Sequence, residues 1–111
     1  MAINRKKLIS LFIGNMANAI LHRILEQAVE DDAIRKYYDK EFLNSFEIAK
    51  RYRNKINPVG NKLPESSEIK ELIMKKVNNE LNLRISKGYK NIDLSLVEPT
   101  TDNALSELKV Q

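Results

Sequence analysis

Residues 4–29 read NRKKLISLFIGNMANAILHRILEQAV, and this stretch decides the fold class. Ile9, Phe12, Ile13, Met16, Ile20, Leu21, Ile24, Leu25 and Ala28 recur at steps of three and four, the period of an α-helix. Asn15, Asn18, His22 and Glu26 repeat at the same steps and form a polar stripe. The apolar face is wider than one neighbouring helix covers, so this helix is expected at the centre of a bundle or at a subunit contact. Gly14 and Ala17, one turn apart, would let another helix approach closely. Ile13, Gly14, Ala17 and Ile20 are therefore the expected interface residues of this segment.

The same stretch has some of the layout of a secretory leader, with Arg5, Lys6 and Lys7 ahead of an apolar run. Gly14, Asn15 and Asn18 break that run early, and the helical period continues to Val29. A retained helix is expected instead. With no run approaching the roughly 20 apolar residues of a membrane span, no membrane partner and a cytoplasmic placement are expected.

Two further helices follow. The second is expected over 32–54, with Asp31 or Asp32 as its N-cap, because a short carboxylate accepts from the free amides of the first turn. Ile34, Tyr38, Phe42, Phe46 and Ala49 mark its core stripe. Asn57, Pro58 and Gly60 break it. The third is expected over 64–87, opened by Pro64 and capped by Ser66 or Ser67. Ile69, Leu72, Ile73, Val77, Leu81 and Ile85 line its apolar face, and Gly88 supplies a left-handed C-terminal cap.

Beyond Gly88 the period changes. Ile92, Leu94 and Leu96 alternate with Asp93 and Ser95, which predicts an extended segment over 92–97 ending at Pro99. Residues 101–108 read as two turns of helix. Ile92, Leu94 and Leu96 cannot bury one another, so they join the expected interface residues. The predicted architecture is all-α: a three-helix bundle over 1–90 and a short extended, acidic tail over 91–111 closed by a terminal helical turn. One domain is all that 111 residues support, and three Gly with three Pro are too few turn-formers for a sandwich or barrel.

Charge is divided along the chain. Residues 1–90 hold 18 Lys and Arg against 11 Asp and Glu, whereas 91–111 hold one Lys against four acids. Between Glu47 and Glu65 no acid occurs, while Lys50, Arg51, Arg53, Lys55 and Lys62 do, with Tyr52 among them. Cations neutralise phosphates and an exposed tyrosine stacks on an unpaired base, so these six residues form the candidate nucleic-acid patch.

Enzymatic machinery is not evident. The chain has no Cys, and its one His, His22, stands four residues from Glu26 without a metal-binding motif or a Gly-rich phosphate loop. No catalytic residue, metal or cofactor is expected. The expected function is a small helical assembly or adaptor protein, oligomeric or a subunit of a larger complex, with itself or another protein as partner. The alternative is a nucleic-acid-binding accessory protein using the 50–62 patch.

Overall fold

The computed structural model describes residues 4–111; the first three positions of the expected bundle lie outside them. Helix α1 spans Arg5–Ala28, and Asn4 caps it by accepting from the Lys7 amide at 2.8 Å. Helix α2 spans Asp32–Arg53 and is capped by Asp31, whose carboxylate accepts from the Ile34 amide at 3.0 Å. Only three residues separate the two helices, so they fold back as an antiparallel hairpin. Contacts along the hairpin fix its register: Asn18 donates to the Ser45 hydroxyl at 2.6 Å, and Arg23 reaches Asp39 at 3.4 Å.

Helix α3 spans Ser66–Ser86. Pro64 precedes it and Glu65 occupies the N-cap, so neither Ser66 nor Ser67 caps it as expected. Its other end follows the sequence closely. Gly88, at φ +97°, donates to the Ile85 carbonyl and Tyr89 to the Arg84 carbonyl, each at 3.0 Å, which is the Schellman pattern.

The expectation of three helices and an extended tail is corrected at this point. Leu94–Leu96 form a short 3-10 turn that runs directly into a fourth helix, α4, Val97–Glu107. No strand occurs among the described residues. The alternation at 92–96 has a different cause from pleating. The Asp93 carboxylate accepts from the Ser95 amide at 3.0 Å and from its hydroxyl at 2.6 Å, so the two polar residues cap a turn. Pro99 does not stop the chain either, because it lies in the first turn of α4, where its missing N–H has no helical acceptor.

The helices surround α1, and the molecule measures 42 × 24 × 24 Å. Phe12, Met16, Ile20, Ile24 and Leu25 are buried on α1, Ile69, Ile73, Val77 and Leu81 on α3, and Val97 and Leu105 on α4. Burying each such side chain is worth about 1.5–3 kcal/mol. The breadth of the α1 apolar face is thus used within one chain. By length and composition α1 would also suffice to cross a membrane, contrary to expectation; 56% of its apolar 18-residue window is buried inside the bundle.

α2 departs most from its predicted role. Of its 22 residues only Ser45, Ala49 and Arg53 are buried, and Ile34 is 45% exposed. Tyr38 and Phe46 pack partly against the core, while Phe42 lies under the Arg23 guanidinium, 3.7 Å from its ring centre. The close helix approach expected at Gly14 and Ala17 is not seen at Gly14, while on α2 the small residues Ser45 and Ala49 are buried and Ser45 accepts from Asn18 of α1. A Cβ built on Gly14 would have nothing within 4 Å.

Candidate functional site

Three surface regions hold the candidate residues. The first is the end of the hairpin where the 50–62 patch was expected. Lys50, Arg51, Lys55 and Lys62 are exposed there. Tyr52 is half-buried against the core, with Lys55 Nζ 5.8 Å from its ring centre.

Arg53 is no surface cation. It is 2% exposed, and all its hydrogen bonds go to backbone carbonyls. Nε donates to Leu108 at 2.9 Å and Nη1 to Ile56 at 2.7 Å. Nη2 donates to Pro58, Asn61 and Lys109 at 3.1, 2.6 and 2.9 Å. Burial, then the nearby charge of Arg5, push the guanidinium below the usual arginine range. Its place in the nucleic-acid patch is therefore corrected: Arg53 pins the 54–63 loop and the chain end to α2.

Folding adds residues that the linear patch omitted. The antiparallel hairpin returns the end of α2 to the start of α1, so Arg5, Leu8, Lys55, Ile56 and Asn57 line one hollow. Lys6 and Lys7 are exposed at this end and join the cations of α2. Two helices of 24 and 22 residues with a short link already carried that signal. Arg5 itself is engaged, donating through Nε and Nη2 to Glu65 at 2.7 and 2.8 Å and also to the Asn57 carbonyl.

The second region is the seam between α1 and α3. A hollow of 340 Å³ lies between Lys6, Ile9 and Ile13 on one side and Glu68, Ile69 and Leu72 on the other. A second, of 400 Å³, continues between Gly14, Ala17, Asn18 and Leu21 and the α3 residues Lys76, Val77, Glu80 and Arg84. The α3 edge, Glu68, Leu72, Lys76, Glu80 and Arg84, repeats every fourth residue, as expected of one continuous helix edge. The seam from residue 6 to 21 is about 22 Å long at 1.5 Å per residue.

Three of the expected interface residues, Ile13, Gly14 and Ala17, line this seam. Ile13 and Ala17 are nevertheless 4% and 7% exposed, so they form its floor. Ile20 is wholly buried and is unavailable to a partner in this fold. Ile92 and Leu96 pack partly on the chain's own core, leaving Leu94 at 40% exposure.

The third region escaped the sequence reading. At the far end of the hairpin, Tyr37 and Tyr38 lie 5.6 Å apart by ring centres, and His22 lies 5.8 Å from Tyr38. Tyr89 and Arg84, from the end of α3, are near enough to Tyr38 to act on it electrostatically. Desolvation, then Tyr89, raise the Tyr38 phenol above its ordinary range against the opposing charge of Arg84. Only the Gly88 cap, which turns the chain at that point, indicated where Tyr89 would go.

His22 and Glu26 do not act together. His22 Nδ1 is 2.7 Å from the Asn18 carbonyl, and Glu26 pairs with Arg23 at 2.9 Å. No cluster of three His, Asp or Glu side chains suited to a metal occurs among the described residues. The sequence matches no protein-family model, and no curated protein or solved structure matches it either.

Proposed function

We propose that this chain is a small adaptor whose α1–α3 seam holds an amphipathic helix of another protein. The observation that carries this reading is the pair of hollows along the seam: the first has an apolar floor of Ile9, Ile13 and Ile69, and the second mixes Ala17, Leu21 and Val77 with Asn18, Lys76, Glu80 and Arg84. Helix-in-groove recognition needs such a floor over several turns, with apolar anchors of the incoming helix at every third or fourth residue. The rim suits a helix of mixed charge, because Arg5–Glu65 and Arg84–Glu80 are already paired, leaving Lys6, Glu68 and Lys76. This reading takes the incoming helix from a different protein; the half-exposed α2 stripe of Ile34, Tyr38, Phe42 and Phe46 makes a second copy of this chain the alternative that the crosslink below distinguishes. The breadth of the α1 apolar face, satisfied within one chain, no longer argues for self-association.

Gly14 provides the test. Because a Cβ at Gly14 meets nothing within 4 Å, Gly14→Leu places a side chain in the seam, and Leu72→Glu charges its rim. A photocrosslinker at position 76, on the exposed edge of the seam, used in the native cell extract after nuclease treatment, is expected to capture one helical segment of one protein. Both variants are expected to abolish that capture while the far-ultraviolet circular dichroism is kept. Capture that persists in Gly14→Leu, or crosslinks scattered over unrelated proteins, would refute the reading.

The second reading, nucleic-acid binding at the hairpin end, rests on Lys50, Arg51, Lys55 and Lys62, joined by Lys6 and Lys7. Replacing Lys50, Arg51 and Lys55 with Glu is expected to remove binding and leave the fold intact. The wild-type affinity should fall steeply with salt, by nearly one unit of log–log slope per phosphate neutralised.

A further inference from the structure

α2 and α4 both pack beside α1, and a hollow of 270 Å³ lies between them. Ile20, wholly buried, forms its floor. One wall belongs to α2. There Phe42 and Phe46, one turn apart and only partly buried, stack with ring centres 5.5 Å apart and planes at 26°. The other wall belongs to α4, where Thr100, Asn103 and Glu107 are spaced by three and four residues and so share one helix edge. Arg23 and Gln27 of α1, again one turn apart, also line it.

Most polar groups of this hollow are uncommitted. The side chains of Gln27, Thr100, Asn103 and Glu107 make no hydrogen bond or ion pair among the described residues. Arg23 differs: its Nη1 pairs with Glu26 at 2.9 Å and Asp39 at 3.4 Å, and its guanidinium lies 3.7 Å from the Phe42 ring centre. The lining thus has one charge without a counter-ion, the Glu107 carboxylate, in a hollow walled by two phenyl rings. Ligand sites combine an aromatic wall with a few convergent polar groups in this way. An anion would be repelled by Glu107, whereas a cation satisfies it and is attracted to aromatic rings as well. The two carboxamides and the hydroxyl add donors and acceptors for the edge of a heterocycle.

We propose that the α2–α4 hollow binds a small heteroaromatic amine, its ring packed on Phe42 and Phe46 and its ammonium held by the Glu107 carboxylate. Its volume lies just below the range of about 300–1,000 Å³ for drug-sized ligands, which suits a molecule of one or two rings. The hollow shares no lining residue with the α1–α3 seam or with the cations of 50–62.

Amide chemical-shift mapping of the full, isotope-labelled chain with tryptamine as probe tests the proposal. Saturable shifts are expected to concentrate in residues 20–27, 42–46 and 100–107. Indoleacetate carries the same ring with a carboxylate in place of the ammonium, and it should bind about tenfold more weakly. Butylamine keeps the ammonium without the ring and should bind as weakly. Glu107→Gln changes the exposed last residue of α4, so the fold should be kept. It is expected to weaken tryptamine binding about tenfold, the loss of one charge-assisted hydrogen bond, and to remove the preference over indoleacetate. The proposal is overturned if the two indoles bind equally, or if Glu107→Gln leaves tryptamine binding unchanged. It is equally overturned if the shifts gather along the α1–α3 seam, or if no saturable shift occurs with millimolar probe.

Discussion

Arg53 of α2 donates through Nε to the carbonyl oxygen of Leu108 at 2.9 Å, across 55 residues of chain. The same guanidinium reaches the carbonyls of Ile56, Pro58, Asn61 and Lys109, so one side chain ties α2 to a loop and to the turn after α4. The planar fork reaches all five carbonyls, the two N–H groups of Nη2 being shared among three of them, and an ammonium cannot span that set.

Removal of this group should be costly. Arg53→Met is expected to destabilise the protein by about 3 kcal/mol or more, because buried carbonyls lose their donors. Arg53→Lys should recover little of the loss. Urea unfolding gives the magnitude, and hydrogen exchange should show early opening at the Leu63 amide, which donates to Val110 at 3.0 Å. A loss below about 1 kcal/mol would mean that water replaces these bonds readily. Charge-reversal tests of nucleic-acid binding must leave Arg53 untouched, since its replacement changes the fold.

Gly14→Ala should act in the opposite direction. The residue is exposed in the middle of α1, and a Cβ there meets nothing within 4 Å. The helix propensity gained is about 1 kcal/mol. Thermal unfolding should show a raised midpoint, and an unchanged or lowered one would imply a contact at Gly14 not seen in this fold.

Lys109 offers a second stabilising change. It has φ +60°, while Lys109 donates to Ser106 at 3.1 Å and Val110 to Leu105 at 2.8 Å, a Schellman cap without glycine. Glycine adopts this backbone without the Cβ penalty, so Lys109→Gly is expected to stabilise by about 1 kcal/mol. The carbonyl that accepts from Arg53 is retained. Chemical denaturation of the variant beside the wild type checks the sign.

Acid should loosen the C-terminal half and the α1–α3 junction first. Gln111, then Lys70, hold the Asp102 carboxyl below its ordinary range, and Arg5 does the same for Glu65. A carboxyl whose pKa is depressed by folding adds stability above its unfolded value, and that stability is lost as pH falls through the folded value. The decline is therefore expected below about pH 4. Lys70, raised by Asp102 and Glu98, loses its contribution only on the alkaline side. Asp102→Asn should flatten the acid limb of a stability-against-pH curve; an unchanged limb would assign it to other carboxyls.

The sequence alone determined the features that depend on near neighbours. The period from Ile9 to Ala28 and from Ile69 to Leu81 specified helices, and Asp31 and Gly88 marked their ends, because capping and helical spacing act over three to five residues. The all-α class followed from the same local signals. Tertiary structure alone decided which faces were covered and which side chains met. Asp93 and Ser95 alternate with apolar residues in a turn as readily as in a strand, so only the Asp93 hydrogen bonds distinguish the two. The α2 stripe from Ile34 to Ala49 looks like core, yet α2 packs chiefly on α1, and that leaves its first half in solvent. Arg53 is indistinguishable in sequence from Lys50 and Arg51. Its burial depends on carbonyls supplied by residues 56–61 and 108–109. Contacts between residues this far apart in the chain exist only once α1 has gathered the other helices around it.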